Sequence, residues 1–189
     1  MPVARLCSRN LHKLEELRAA LPDWTLELLE VDGYPDESGA TYYENARAKA
    51  CFGRSVGPVD EWMLGEDTGI EVHALGGNPG VRSARWATDG PAQVLEELAA
   101  SKDRRARLVT EIVCISPEGI EFHGRGELQG TIATERRGLT GFGYDPIFVP
   151  RGETITIAEL GPRWKSIHSS RARVAAELRA AVPAPNVTS

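Results

Sequence analysis

The 189-residue chain has few cysteines and no long apolar run, and each shortage excludes a class of protein. Its three cysteines are odd in number and widely separated, which argues against a disulfide framework or a zinc site. They are typical of reduced core thiols in a cytoplasmic protein. No segment approaches the length of a membrane span, and the N-terminus lacks the pattern of a secretory signal. We therefore expect a cytoplasmic protein without a membrane partner.

Positive charge is also scarce, because 22 lysines and arginines stand against 27 aspartates and glutamates. An acidic chain has no basic field for a nucleic-acid backbone, and no strand interleaves aromatic with basic residues. We expect no nucleic-acid partner, and any phosphate ligand must be held by local groups. The length suits a single domain with a real core, assigned to residues 1–182, followed by a loose tail over residues 183–189.

An acidic pair, Glu66 and Asp67, follows a predicted strand that begins at Trp62. A carboxylate at the end of a buried strand loses hydration, so it needs a metal ion, a cation or a proton nearby. Neighbouring residues of a regular strand face opposite ways, so the two carboxylates cannot both enter one site. Together with lysines and arginines at loops and helix starts, this pair indicates a nucleotide hydrolase.

The first strand and helix are predicted over residues 3–7 and 11–22, where leucines recur at helical spacing. Ser8 and Asn10 lie between them, and free backbone N–H groups at a helix start suit an anion. Lys13, in the first turn, could reach the same anion. The alternative interpretation is an ordinary helix cap with a solvated lysine.

A second helix is predicted over residues 42–52, because Thr41 and Glu44 match a capping box. Asn45 and Lys49 lie four residues apart and therefore share one face of this helix. That face could bind a ligand or could simply be solvated, as most polar helix faces are.

Two long strands, at residues 105–115 and from residue 120 onward, argue for a mixed sheet and an α/β fold. Further along, glycines flank Phe142 in residues 141–143, and Asp145 follows before a proline. Glycines let the backbone approach a flat ligand while the ring offers a stacking face. A plain turn with one buried ring explains the same pattern equally well.

Taken in order, these segments resemble the inosine triphosphate pyrophosphatase family. The resemblance covers nearly the whole chain, and the block from Glu66 to Arg85 is highly specific. The segments that carry it are Ser-Arg-Asn-Leu-His-Lys at 8–13, Glu-Asn-Ala-Arg-Ala-Lys-Ala at 44–50, residues 66–85, Gly-Phe-Gly-Tyr-Asp-Pro-Ile-Phe at 141–148, Lys165, and Ser-Ser-Arg at 169–171.

The resemblance implies a two-lobed α/β fold with a long mixed β-sheet flanked by helices, a central nucleotide-binding cleft, and a homodimer. It also implies a Mg²⁺-dependent enzyme whose substrate is a deaminated purine nucleoside triphosphate, namely ITP, dITP or XTP. Such an enzyme releases the monophosphate and pyrophosphate, and thereby removes these nucleotides from the nucleotide pool.

The resemblance assigns Asp67 as the catalytic aspartate that activates water and contacts the metal, and Glu37 as the second metal ligand. The lysines hold the triphosphate, the segment from Phe142 to Asp145 stacks on and borders the base, and Arg171 reads the 6-oxo group. The substrate-binding set is Ser8, Arg9, Asn10, Lys13, Lys49, Thr68, Phe142, Gly143, Tyr144, Asp145, Lys165, Ser170 and Arg171.

The chain departs from the family pattern at four positions. Arg9 stands in place of glycine, Ser170 in place of histidine, and Glu66 and His73 in place of aspartates. Arg9 and Ser170 leave a related pyrophosphatase with altered or broadened base specificity as one alternative. A nucleotide-binding protein without turnover is another, although the retained Glu37 and Asp67 favour an enzyme.

Overall fold

The computed structural model describes residues 2–182, and the predicted tail over residues 183–189 lies outside them. The strands are β1 (Val3–Leu6), β2 (Thr25–Leu28), β3 (Trp62–Val72), β4 (Arg105–Ile115), β5 (Glu121–Ile132) and β6 (Phe148–Pro150). The helices are α1 (Leu11–Ala20), α2 (Tyr42–Val56), α3 (Gly90–Glu97), α4 (Ile157–His168) and α5 (Ser170–Ala181). None of the helices within residues 2–182 combines the length and the apolar character that a membrane span requires.

The six strands form one sheet in the order β2-β1-β3-β4-β5-β6. β1 pairs in parallel with β2 and with β3, so that Leu6 lies opposite Leu28 on one side and Leu64 on the other. β5 and β6 pair antiparallel. The predicted α/β fold with a mixed sheet is therefore confirmed, whereas the nucleotide-binding cleft stays a prediction.

The chain divides into two compact units. Of the residues that the structure describes, the first comprises those up to Asp67, Thr110–Gly126 and those from Arg171 to residue 182, and the second comprises Thr68–Val109 and Glu127–Ser170. Each unit has its own apolar core. In the first, leucines of β1 and α1 pack with Ile112 and Leu178, whereas the core of the second includes Ile70, Leu98, Leu128, Ile147 and Phe148. The assignment of residues 1–182 to a single domain stays a prediction.

Strand β3 corrects one expectation about the acidic pair. Glu66 and Asp67 do not end the strand but lie inside it, because β3 continues to Val72. Both side chains are buried within β3. A strand can continue through charged positions when other elements supply partners for the charge, which the flanking helices do here.

Helix α2 begins where the capping box predicts. The hydroxyl of Thr41 accepts from the backbone N–H of Glu44 at 3.1 Å, and the Glu44 carboxylate accepts from the N–H of Thr41 at 3.3 Å. The helix then runs to Val56, four residues beyond the predicted end.

Helix α2 packs directly on β3 at Gly65. A Cβ atom at this position would lie 1.9 Å from the carbonyl oxygen of Ala46 and 2.6 Å from the backbone nitrogen of Ala50. Both are backbone atoms of α2, which cannot move aside as the end of a flexible side chain can. The hydrogen atom of glycine therefore allows the helix to approach the strand just before the acidic pair.

We expect Gly65→Ala to lower the free energy of unfolding by about 3 kcal/mol, because the added methyl group overpacks a backbone contact. Urea denaturation checks this value. Gly33→Ala is the matched control, since a Cβ at Gly33 meets no atom within 4 Å, and we expect a change within about 0.5 kcal/mol. Equal urea midpoints for the two variants would contradict the direct packing of α2 on β3.

Candidate active site

Asp67 is the centre of a cluster in the first unit. Its side chain is 6% exposed, and α2 faces it with two polar residues one turn apart. Asn45 Nδ2 donates to Asp67 Oδ2 at 3.0 Å, and Lys49 Nζ lies 3.7 Å from Asp67 Oδ1. The same ammonium contacts the Glu37 carboxylate and donates to the backbone carbonyl of Glu66 at 3.0 Å. Glu37 and Asp67, thirty residues apart in the sequence, therefore share one cation.

Burial and charge together set the protonation of this cluster. Burial raises the pKa of Asp67 to about 6, Lys49 and Asn45 oppose the rise, and Glu37 and Glu66 add to it. Burial lowers the pKa of Lys49, but Asp67 and Glu37 more than offset this, so the pKa lies above its ordinary value. Lys49 is therefore a fixed cation beside a carboxylate that takes up a proton close to neutral pH. The interpretation of Lys49 as a solvated surface residue is wrong, because its side chain is buried.

Glu66 gathers a separate set of cations. Its buried carboxylate lies 2.5 Å from Lys13 Nζ and accepts from Arg171 Nη2 at 2.7 Å and Nε at 3.1 Å. Arg171 also donates to Glu16. Burial acts to lower the pKa of Arg171, but the carboxylates of Glu66 and Glu16 together outweigh this effect. The pKa of Arg171 therefore lies above its ordinary value, and the guanidinium stays charged. Lys13 and Arg171, both predicted to contact substrate, are thus held by one carboxylate.

Sequence reasoning did not include Glu66 or Glu16 in the site. The acidic pair itself was a signal for Glu66, because adjacent strand residues project to opposite faces and each must find its own partner. Nothing in the sequence near Glu16 distinguishes it from a solvated residue of α1.

The loop between β1 and α1 forms a helix cap. Asn10 Oδ1 accepts from two backbone N–H groups of the first helical turn, at 3.0 and 3.3 Å. Ser8 Oγ accepts from the N–H of Asn10 at 3.1 Å. Arg9 turns away from this cap, donates to the carbonyl of Asp32, and lies 5.9 Å from the centre of the Tyr34 ring.

A second cluster, in the second unit, surrounds Asp145. The Asp145 carboxylate is buried and accepts from Lys165 Nζ at 2.5 Å and from the backbone N–H of Phe142 at 2.8 Å. The Lys165 ammonium also lies 4.1 Å from the centre of the Phe142 ring, within the range of a cation–π interaction. Tyr144 donates from its hydroxyl to the carbonyl of Ser83 at 3.0 Å.

The remaining predicted residues differ in exposure. Gly143 is exposed and adopts a φ of 57°, a conformation that favours glycine. Thr68 is half-buried in β3, directly after Asp67. Ser170 is buried where α5 begins, directly before Arg171.

The donor set around Asp67 fits a hard divalent cation. Within residues 2–182 there is no group of three or more histidines, cysteines, aspartates and glutamates arranged to hold a metal ion. Glu37 and Asp67 provide two carboxylates around one ammonium. Mg²⁺ at nucleotide sites is commonly held by one or two carboxylates, with phosphate oxygens and water completing its coordination. Two carboxylates are therefore sufficient for a metal that arrives with a nucleotide.

The chain resembles proteins of known name over almost its full length. It is 40% identical over 179 residues to a dITP/XTP pyrophosphatase of Deinococcus deserti, covering 91% of this chain and 85% of the relative. It is 40% identical over 202 residues to a dITP/XTP pyrophosphatase of Nocardia farcinica, covering 97% of each. The solved structure of a HAM1 protein from Coxiella burnetii matches with a TM-score of 0.82 and 32% identity, covering 96% of this chain and 98% of that one. The model of the Ham1 family matches residues 4–181, and the chain therefore belongs to the Ham1 family.

Proposed function

We propose that this protein hydrolyses deaminated purine nucleoside triphosphates, such as dITP, XTP and ITP, to the monophosphate and pyrophosphate. Relatives at 40% identity are named dITP/XTP pyrophosphatases. The observation that carries the proposal is the buried Asp67 carboxylate, whose pKa burial raises to about 6, beside Lys49. A base that titrates near neutral pH next to a fixed cation suits the hydrolysis of a charged anhydride.

Asp67 acts as the general base in this proposal. A water molecule gives a proton to a carboxylate oxygen of Asp67 while its own oxygen forms a bond to the α-phosphorus. The bond from the α-phosphorus to the oxygen bridging the β-phosphate breaks, and pyrophosphate leaves with that electron pair. Asn45 donates to Asp67 Oδ2 and fixes the carboxylate's orientation during this transfer.

Lys49 and Lys13 bind the triphosphate in this proposal. Each ammonium contacts a buried carboxylate, and an ammonium group can satisfy carboxylate and phosphate oxygens at the same time because it has three donors. Lysine also neutralises phosphate without demanding one geometry. Both residues can therefore accept a polyphosphate without leaving Glu66 or Asp67 uncompensated.

Glu37 and Asp67 are the residues that would hold Mg²⁺. When bound, the metal ion neutralises developing charge on the phosphate oxygens. Lys49 and the metal would share the same two carboxylates. This requires the loop that carries Glu37 to stay close to α2.

A second candidate function is the same hydrolysis with broadened base specificity. Arg171 donates to Glu66 and to Glu16, and Ser170 stands before it where the resemblance implies histidine. The N–H groups of Arg171 that already donate to carboxylates are less available to a 6-oxo group, so they discriminate less strongly between bases. The roles of Phe142 to Asp145, of Lys165 and of Thr68 at the substrate stay predictions, as do the homodimer and the cytoplasmic location.

A nucleotide panel tests the substrate class. With Mg²⁺ present, we expect kcat/KM for ITP, dITP and XTP to exceed that for ATP and GTP by about 10- to 100-fold, because a buried donor left unpaired by a 6-amino group costs about 1–3 kcal/mol. Pyrophosphate release measures each rate. Comparable values for all purines would favour broadened specificity, and no release from any nucleotide would contradict the proposed reaction.

Asp67→Asn tests the general base. We expect kcat to fall by about 10²- to 10⁴-fold, because the amide cannot accept the proton from water. Circular dichroism should show an unchanged fold, since asparagine keeps the shape of the side chain. Asp60→Asn, at an exposed position before β3, is the control and should retain the rate. A near-normal rate in Asp67→Asn would show that another group acts as the base.

The same variant tests the electrostatic state of the metal-free protein. Burial raises the pKa of Asp67 from its ordinary 3.8 to about 6, so the folded state binds more protons than the unfolded state between these values. Stability therefore falls as pH rises through this window, and above it the ionised carboxylate costs about 3 kcal/mol. In EDTA, the melting temperature of Asp67→Asn relative to the wild type should rise between about pH 4 and about pH 7. A difference that is constant with pH would show that the pKa of Asp67 is ordinary.

A further inference from the structure

The side-chain amide of Asn45 accepts one hydrogen bond and donates another. The residue is 2% exposed and lies on α2, one turn before Lys49. The carbonyl oxygen Oδ1 accepts from the backbone N–H of Gly39 at 2.8 Å. The amide nitrogen Nδ2 donates to Asp67 Oδ2 at 3.0 Å. One planar amide therefore connects the loop before α2 to the carboxylate on β3.

The contact between Asn45 and the loop is tight. A Cβ atom at Gly39 would lie 2.6 Å from Asn45 Oδ1 and 2.8 Å from the Cβ of Glu44. Glycine at this position therefore allows the loop to reach the amide. Gly39 lies two residues after Glu37, so the position of the Glu37 backbone depends on this contact.

The other end of the same loop is also fixed. Arg9 donates to the carbonyl of Asp32 and lies over the ring of Tyr34. The Tyr34 hydroxyl donates to the carbonyl of Leu29 at 2.6 Å, and its ring packs edge-on against Phe52 of α2. Residues 32–39 are thus held at both ends, and Glu37 lies between the two attachments.

We propose that Asn45 is a positioning residue that sets Glu37 and Asp67 at the separation required to bind one divalent cation. This inference rests on the proposed function, in which these two carboxylates hold the metal. Asparagine suits the role because it carries a donor and an acceptor without charge. Aspartate at position 45 would place a further carboxylate beside Asp67 and could not donate to it.

The binding of Mn²⁺ alone, followed by electron paramagnetic resonance, tests this role. Mn²⁺ prefers the same oxygen ligands as Mg²⁺. We expect Asn45→Ala and Asn45→Asp to raise the Kd for Mn²⁺ by about 10- to 100-fold, as loss of a hydrogen bond to a metal ligand commonly does. Hydrolysis by Asn45→Ala should recover towards the wild-type kcat when Mg²⁺ is increased, because the residue acts through the metal site.

Gly39→Ala tests the contact from the loop side without changing the sequence of α2. It should weaken Mn²⁺ binding, and its effect should not add fully to that of Asn45→Ala, since both variants disrupt the contact between Gly39 and Asn45. Arg47→Ala is the control on the same helix, because Arg47 is exposed and pairs with Glu121. It should leave the Kd for Mn²⁺ unchanged.

The outcomes separate this inference from the proposed function. A folded Asn45→Ala that binds Mn²⁺ with the wild-type Kd overturns the inference, and so does a wild-type protein that binds no Mn²⁺. If Asn45→Ala does not fold, Gly39→Ala decides, and an unchanged Kd in that variant overturns the inference. Mn²⁺ binding that weakens as expected in a protein without pyrophosphate release supports the positioning role while rejecting the proposed reaction.

Discussion

Helix α2 rests on strand β3 without a side chain between their backbones at Gly65, and the geometry of the candidate site depends on this contact. Because the two backbones are this close, Asn45 and Lys49, one turn apart on α2, contact the carboxylate of Asp67. It also places the Lys49 ammonium on the backbone carbonyl of Glu66. A larger residue in place of Gly65 would force backbone atoms of α2 and β3 apart, and the contacts of Asn45 and Lys49 with Asp67 would lengthen.

The acidic pair shows how a protein tolerates two carboxylates inside a strand. Because adjacent side chains project to opposite faces, each carboxylate acquires its own partners. Glu66 is held by Lys13 and Arg171, which bind it at short distances. Asp67 has a hydrogen bond from Asn45 and a more distant ammonium, and its pKa is raised to about 6 by burial. The less compensated carboxylate is the one suited to proton transfer, and its ionisation lowers the stability of the metal-free fold.

Local signals predicted the elements that are controlled locally. The capping box at Thr41 fixed the start of α2, and the strand predicted at residues 105–115 has the bounds of β4. Helix α4 was not predicted because Gly161, at a φ of 83°, and Pro162 interrupt its periodic pattern. β6 was not predicted because three residues are too few for an alternating pattern, and its pairing with β5 is a long-range contact.

The sequence by itself determined the starts of α1 and α2, the mixed sheet, the family to which the chain belongs, and the shared helix face of Asn45 and Lys49. Each of these depends on neighbours along the chain or on the order of motifs. The tertiary structure decided which residues contact that face of α2 and which carboxylate each cation binds. Arg171 and Glu66 are 105 residues apart and become partners only when α5 packs beside β3 within the first unit. Burial, which raises the pKa of Asp67, exists only in the folded chain, because an extended chain leaves every carboxylate in water.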